Sequence, residues 1–89
     1  MRNWDVCALY RDQQGNRLIV DQRNRFFEGD VLEVLEPGQK PYTLTVRDLV
    51  READGTRTEV ANKATEVYSF AVDRPVSTDA ILRRKRDED

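Results

Sequence analysis

Short runs of alternating apolar and polar residues recur along this chain at intervals of about ten residues, and turn-forming residues separate them. The clearest run places Tyr42, Leu44 and Val46 on one face and two threonines on the other. A turn rich in proline and glycine precedes it, and neither residue type suits the interior of a strand. The pattern therefore predicts an all-β protein of about six or seven short strands.

The predicted strands cover residues 4–10, 17–21, 31–35, 42–46, 47–51, 57–60 and 67–72. The segment 80–82 has the composition of either a short capped helical turn or a closing strand, and we expect a strand. A barrel is favoured over a sandwich, because closure hides strand edges in so short a chain. We expect residues 1–82 to form one β-barrel domain and residues 83–89 to form a charged C-terminal tail.

Size and charge limit the functions open to the chain. It has 89 residues, enough for one small core but not for a large cleft with its supporting shell. With 15 basic and 17 acidic residues, the formal net charge is −2, so no overall field draws the chain to nucleic acid or to an anionic membrane. We expect a domain that is not an enzyme, and any contact with RNA must come from a local patch.

The residue types exclude several kinds of site. There is no histidine, and Cys7 is the single cysteine, so disulfides, cysteine-ligated zinc and the familiar nucleophile–histidine pairs cannot form within the chain. We predict no catalytic residue, no metal and no cofactor here. No apolar run is long enough to cross a bilayer, and the cysteine content favours a reducing cytoplasm.

The segment from Arg23 to Asp30 contains the candidate binding residues. Two arginines flank an asparagine and precede an aromatic pair, a mixture that can hold phosphates and stack on bases. The contact residues predicted here are Arg23, Asn24, Arg25 and Phe26. In the alternative, the phenylalanines fill one end of the barrel and the arginines pair with nearby acids.

Two further features of this region are predicted from residue chemistry. Gly29 and Asp30 should form a turn, since glycine supplies backbone freedom and aspartate can accept hydrogen bonds from local amides. Arg83 and Arg84 would add positive charge if they lay on the same face, although the acidic end of the chain would screen them. A second hypothesis is a structural or protein-interaction module with an exposed apolar patch around Tyr68 and Phe70.

Several segments of this chain resemble the C-terminal domain of the collagenase-like peptidase family U32. The resemblance rests on the run from Gln22 through Phe26, Gly29 and the strand after it to Pro37, on Asp54-Gly55, on Glu59-Val60-Ala61 and on the closing Ala80-Ile81-Leu82-Arg83-Arg84. It departs where relatives often have a histidine-proline pair, because this chain has Asn62 and Lys63.

The resemblance implies a distorted open β-barrel similar to the second domain of translation elongation factors. It also implies a partner, the large TIM-barrel catalytic domain of a parent enzyme. In that family the parent acts as a collagenase-like peptidase or as a prephenate-dependent hydroxylase of transfer or ribosomal RNA. The iron–sulfur cluster of the hydroxylases belongs to the large domain, so Cys7 does not inherit a ligand role. The expected function is an accessory barrel that helps to recognise or orient a macromolecular substrate, RNA or protein.

Overall fold

A computed structural model describes residues 4–63 and 65–85 of the chain. These residues form ten strands: β1 (Trp4–Gln14), β2 (Arg17–Gln22), β3 (Phe26–Phe27), β4 (Val31–Leu35), β5 (Tyr42–Thr45), β6 (Val50–Arg51), β7 (Thr56–Arg57), β8 (Val60–Ala61), β9 (Val67–Ala71) and β10 (Ile81–Lys85). No helix able to span a bilayer occurs in this part of the chain.

Eight of these strands form one curled antiparallel sheet in the order β5-β4-β10-β1-β2-β9-β6-β7, and β3 pairs separately with β8. The long strand β1 lies at the centre, with β10 on one side and β2 on the other. The predicted all-β open barrel is confirmed. The strand number was underestimated, because two-residue strands such as β3 and β8 are too short to show alternation and arise from pairing across about 35 residues of chain.

The core is formed by the inward-facing residues of the alternating strands, among them Leu18 and Val20 on β2 and Tyr68 and Phe70 on β9, all at most 1% exposed. A β-bulge interrupts β1 between Val6 and Ala8. The register shift buries Cys7 and Ala8 together and leaves Val6 41% exposed. The simple alternation expected for residues 4–10 is therefore broken at this bulge.

Two predicted boundaries need correction. The first strand was expected to end at Tyr10, but β1 continues to Gln14 in a hairpin with β2, and the turn is confined to residues 15–16. The charged tail was expected to begin at Arg83, but β10 runs from Ile81 to Lys85 between β1 and β4. Neighbouring strands supply hydrogen bonds and counter-charges to this basic sequence. The rest of the expected tail, residues 86–89, lies outside the described residues.

The single predicted strand 57–60 divides into two. Thr56–Arg57 pairs with β6, whereas Val60–Ala61 pairs with β3. The Thr58 hydroxyl donates a hydrogen bond to the carbonyl of Val60 and accepts one from its N–H, at 3.0 and 3.3 Å. This local hydrogen bonding occupies the backbone between the two strands and lets the chain change partners.

Candidate functional site at the β2–β3 connector

The turn between β3 and β4 fixes the end of the candidate segment. Gly29 has φ +95°, a conformation that side chains rarely adopt. The carboxylate of Asp30 accepts a hydrogen bond from the Phe27 N–H at 2.8 Å, and the Asp30 N–H donates to the Phe27 carbonyl at 3.0 Å. The two residues expected to form a turn thus lie in one, closed by both backbone and side chain.

The β2–β3 connector, residues 23–25, is attached to β1 through its backbone. The N–H groups of Arg23 and Asn24 both donate to the carbonyl of Cys7, at 2.7 and 3.2 Å. Asn24 Nδ2 donates to the Val6 carbonyl at 2.6 Å. The bulge in β1 therefore supplies carbonyls to the connector, and the asparagine has a structural role. The side chains of Arg23 and Arg25 are left exposed.

The two phenylalanines that follow have different environments. Phe26 is completely buried and packs edge-on against Phe70, with ring centroids 6.1 Å apart. Phe27 is 40% exposed, and the Arg25 guanidinium lies 5.9 Å from the centre of its ring. The expectation that Phe26 contacts a macromolecule is corrected, because its ring belongs to the core. Phe27 is the aromatic surface that this segment offers.

The chain that leaves β8, of which residues 62–63 and 65–66 are described, is joined to the first connector by hydrogen bonds on either side. Phe26 and Phe27 pair with Ala61 and Val60. Gln22 joins the two stretches through both its side chain and its backbone. Its Nε2 donates to the Ala61 carbonyl at 3.1 Å, and its N–H donates to the Glu66 carbonyl at 3.1 Å. Lys63 is exposed and follows Ala61, the cross-strand partner of Phe26, by two residues, so it lies on the chain that runs alongside the β2–β3 connector. In the sequence Lys63 stands out only as a departure from the family pattern, because its relation to the two arginines depends on the long-range pairing of β3 with β8.

We call Arg23, Arg25 and Lys63 the basic edge. Within residues 4–63 and 65–85, none of the three makes an ion pair. Their charges are therefore not neutralised by contact with a carboxylate.

Arg83 and Arg84 are placed differently. Arg83 Nε donates to Glu33 Oε1 at 2.6 Å, and its guanidinium lies 4.3 Å from the ring centre of Trp4. Arg84 Nη1 lies 3.3 Å from Asp30 Oδ2. Both arginines face carboxylates of β4 or of the turn before it. They support the sheet and are not part of the basic edge.

The carboxylates of this region likewise have structural partners. Glu28 pairs with Arg57 at 3.1 Å, and Glu36 accepts hydrogen bonds from the Tyr42 hydroxyl at 2.7 Å and the Ser77 N–H at 3.1 Å. In the described part of the chain, no three cysteine, aspartate or glutamate side chains are grouped to hold a metal ion.

Cys7 lies in the core between the two arginine groups. Burial raises the pKa of its thiol to about 11, and the nearby Arg84 charge opposes that rise. A buried thiol of high pKa is a poor nucleophile. The Cys7 side chain packs in the core beneath the bulge, and its carbonyl accepts hydrogen bonds from the N–H groups of the connector.

The apolar surface of the domain is not where it was expected. Tyr68 and Phe70 are buried, so a patch around them is ruled out. Val6, Val31 and Ile81 are exposed instead, at 41%, 57% and 37%. They lie on the outer face of β1, β4 and β10, where cross-strand pairing places Val6 beside Arg83 and Ile81 beside Leu35.

Comparison with known proteins assigns the chain to a family. Residues 2–83 match the family model described as the peptidase family U32 C-terminal domain. The chain belongs to this family. The resemblance found in the sequence is thereby confirmed over nearly the whole chain.

Two solved structures have the same architecture. Both are of the C-terminal domain of a Geobacillus thermoleovorans protein assigned to the U32 peptidases, one of them in its selenomethionine form. Each has 25% sequence identity and a TM-score of 0.78. The alignments cover 92% of this chain and 92% of that chain for one, and 91% and 99% for the other. No curated protein matches the chain.

Proposed function

We propose that this U32 C-terminal domain is a non-catalytic accessory barrel that orients an RNA substrate for the catalytic domain of a cytoplasmic parent enzyme. The chemistry, RNA hydroxylation in this proposal, belongs to the parent's large domain. The single observation that carries the proposal is the basic edge.

The basic edge suits contact with a phosphate backbone. Within residues 4–63 and 65–85 its three cations have no carboxylate partner, so no ion pair among these residues has to break when a phosphate binds. Phe27 lies next to Arg25 with 40% of its surface exposed, which allows a base to stack beside the phosphate contact. Because phosphate contacts position a nucleic acid without selecting its sequence, this edge would orient a substrate rather than discriminate among sequences.

The test is binding of transfer RNA to the 89-residue chain across a series of salt concentrations. We expect salt-dependent binding, and we expect Arg25→Ala to reduce the slope of log K against log salt by about 0.7–0.9, the loss of one phosphate contact. Lys40→Ala is the charge-matched control, since Lys40 is exposed on the turn between β4 and β5. Absence of salt-dependent binding, or equal slopes for the two variants, would contradict an RNA role.

A second candidate function is packing on the parent's catalytic domain through the outer face of β1, β4 and β10. The supporting observation is the exposed apolar set on that face, in which the Arg83–Glu33 pair is already neutralised and so is suited to burial in a contact. Val31→Lys should leave the fold intact, because Val31 is 57% exposed.

The expected result is that Val31→Lys weakens association with the separately produced catalytic domain while the free energy of unfolding of this chain stays within about 0.5 kcal/mol. Gln39→Lys adds the same charge at an exposed position of the turn between β4 and β5, away from this face, and is the control. Equal association of both variants with the catalytic domain would exclude this face.

A further inference from the structure

The edge strand β5 borders a groove that the barrel leaves open. β5 pairs with β4 and ends the eight-stranded sheet on that side. Across from it run residues 71–74, and between the two lies a cavity of about 530 Å³. The N–H of Ala71 donates to the Arg47 carbonyl at 2.8 Å, which joins the two walls at one end.

The backbone groups of β5 that face this groove have no partner among the residues that the structure describes. Val46 directs its backbone towards β4, since its N–H donates to the Asp30 carbonyl at 2.9 Å and its carbonyl accepts from the Gly29 N–H at 2.8 Å. In an antiparallel strand the N–H and C=O groups of successive residues point to alternate sides. Those of Thr43 and Thr45 therefore point away from β4. Neither threonine has a backbone partner on that side among the described residues.

The groove also has an apolar floor and a basic rim. Half-buried Leu44 and nearly buried Val72 line it beneath the strand edge. Arg47 and Arg74 stand on the rim without ion pairs in the part of the chain described, and the Arg74 guanidinium is held 3.7 Å from the ring centre of Tyr42. Exposed Asp73 also lies on the rim, so two positive charges and one negative charge give a net charge of +1.

We propose that this groove binds an extended acidic peptide segment of a partner protein as an added strand on β5. An exposed edge offers alternating donors and acceptors at the repeat of a β-strand, which a peptide backbone matches on every second residue. Side chains alternate as well, so apolar residues meet Leu44 and Val72 while carboxylates reach the two arginines.

Other occupants fit less well. Nucleic acid phosphates accept hydrogen bonds but do not donate them, so the outward carbonyls of Thr43 and Thr45 would be left unpaired. A second copy of β5 contributes the sequence Tyr-Thr-Leu-Thr, which has no carboxylate for the arginines. The inference is independent of the basic edge, which lies on other connectors.

The test uses a fluorescein-labelled peptide of about seven residues in which glutamate alternates with valine, a length typical of a strand. Two further peptides carry N-methyl groups, one on each alternate set of amides. We expect the unmodified peptide to bind the 89-residue chain, and one methylated peptide to lose binding while the other retains it. Equal binding by all three peptides, or no binding by any, would overturn strand addition.

Protein variants test the rim and the edge. Arg47→Gln and Arg74→Gln should each weaken binding about two- to fivefold, as expected for exposed ion pairs, while Arg11→Gln, on a far strand, leaves it unchanged. Thr45→Pro removes one edge N–H without touching the Val46 bond to β4, and it should abolish binding. If this variant fails to fold by circular dichroism, the methylated peptides still decide the question.

Two results would assign the groove to another occupant and so overturn the proposal. A doubled mass in sedimentation equilibrium that reverts in Thr45→Pro would identify a second copy. Transfer RNA binding that is lost in Arg47→Gln but retained in Arg25→Ala would identify nucleic acid.

Discussion

The two arginine groups of this domain have similar sequences but different environments. Arg83 and Arg84 lie on β10, between two strands, and each faces a carboxylate near β4. Arg23 and Arg25 lie on a connector whose backbone is bonded to β1 and whose side chains have no carboxylate partner in the described residues. The first group is part of the sheet and the second is available to a ligand.

The difference shows that availability of a cation depends on what the neighbouring strand contributes. Register places Glu33 directly opposite Arg83, and the turn before β4 brings Asp30 to Arg84. The connector instead lies against carbonyls of β1. These accept hydrogen bonds from the connector backbone and from the Asn24 side chain, but not from the arginine side chains. In this domain the arginines of the connector, and not those of β10, are therefore the binding candidates.

The largest expected effect lies where the connector meets the core. Phe26→Ala should lower the free energy of unfolding by about 3–5 kcal/mol, because it opens a cavity against Phe70. Phe27→Ala, one residue later and 40% exposed, should lower it by about 1 kcal/mol or less. Urea denaturation of the two variants measures the difference. Similar losses would mean that the connector and the core are not distinct at this point.

The next effect concerns Cys7, which lies between the two groups. Its pKa is raised by burial from 9.0 to about 11 in the folded chain, so the folded state holds the thiol proton more tightly than the unfolded state. The contribution of this difference to the free energy of unfolding is fully present below pH 9 and is lost as pH rises towards 11. We expect a loss on the order of 2 kcal/mol across this window.

Cys7→Ala should remove this pH dependence. A second contribution to the pH dependence of stability comes from Tyr42 at higher pH, because burial and then the hydrogen bond to Glu36 raise its pKa from 10.0 to about 12. Tyr42→Phe should remove this second contribution. Arg84→Ala should shift the Cys7 transition to higher pH, since the Arg84 charge lowers that pKa. An unchanged stability profile in Cys7→Ala would show that the thiol does not carry the effect.

The arginine groups themselves give the third prediction. Arg83→Ala should lower the free energy of unfolding by about 1–2 kcal/mol, since it removes both the Glu33 pair and the stacking on Trp4. Trp4 is the single tryptophan, so its fluorescence should change as well. Arg25→Ala is the matched variant and should stay within about 0.5 kcal/mol of the unsubstituted chain. Equal losses in the two variants would show that the two arginine groups contribute equally to stability.

The smallest effect separates neighbours within the connector. Asn24→Ala removes the hydrogen bond to the Val6 carbonyl and should cost about 0.5–1.5 kcal/mol. Arg23→Ala keeps the backbone bond to Cys7 and should have almost no effect on thermal unfolding. A larger loss for Arg23→Ala than for Asn24→Ala would give the arginine a structural role that its exposure does not indicate.

Much of the fold was predictable where pattern is local. The alternation at Tyr42 to Val46 and the turn residues Gly29 and Asp30 depend on near neighbours, and the structure has a strand and a turn there. The bulge at Cys7 and the division of residues 57–60 were not predictable, because both depend on the register of partner strands. The candidate site followed the same rule. Exposure of Arg23 and Arg25 agrees with the sequence, and their contact with a ligand stays a prediction. Burial of Phe26, the carboxylate partners of Arg83 and Arg84 and the position of Lys63 could not be seen from the sequence.

By itself the sequence determined that this is a small all-β domain of the U32 C-terminal family without histidine chemistry, because alternation, turn residues and composition are properties of the chain alone. Tertiary structure decided which cations are neutralised, which phenylalanine is buried and where the barrel stays open. These outcomes depend on pairings between residues distant in the chain, and the energy of each charge or ring depends on what those pairings bring beside it.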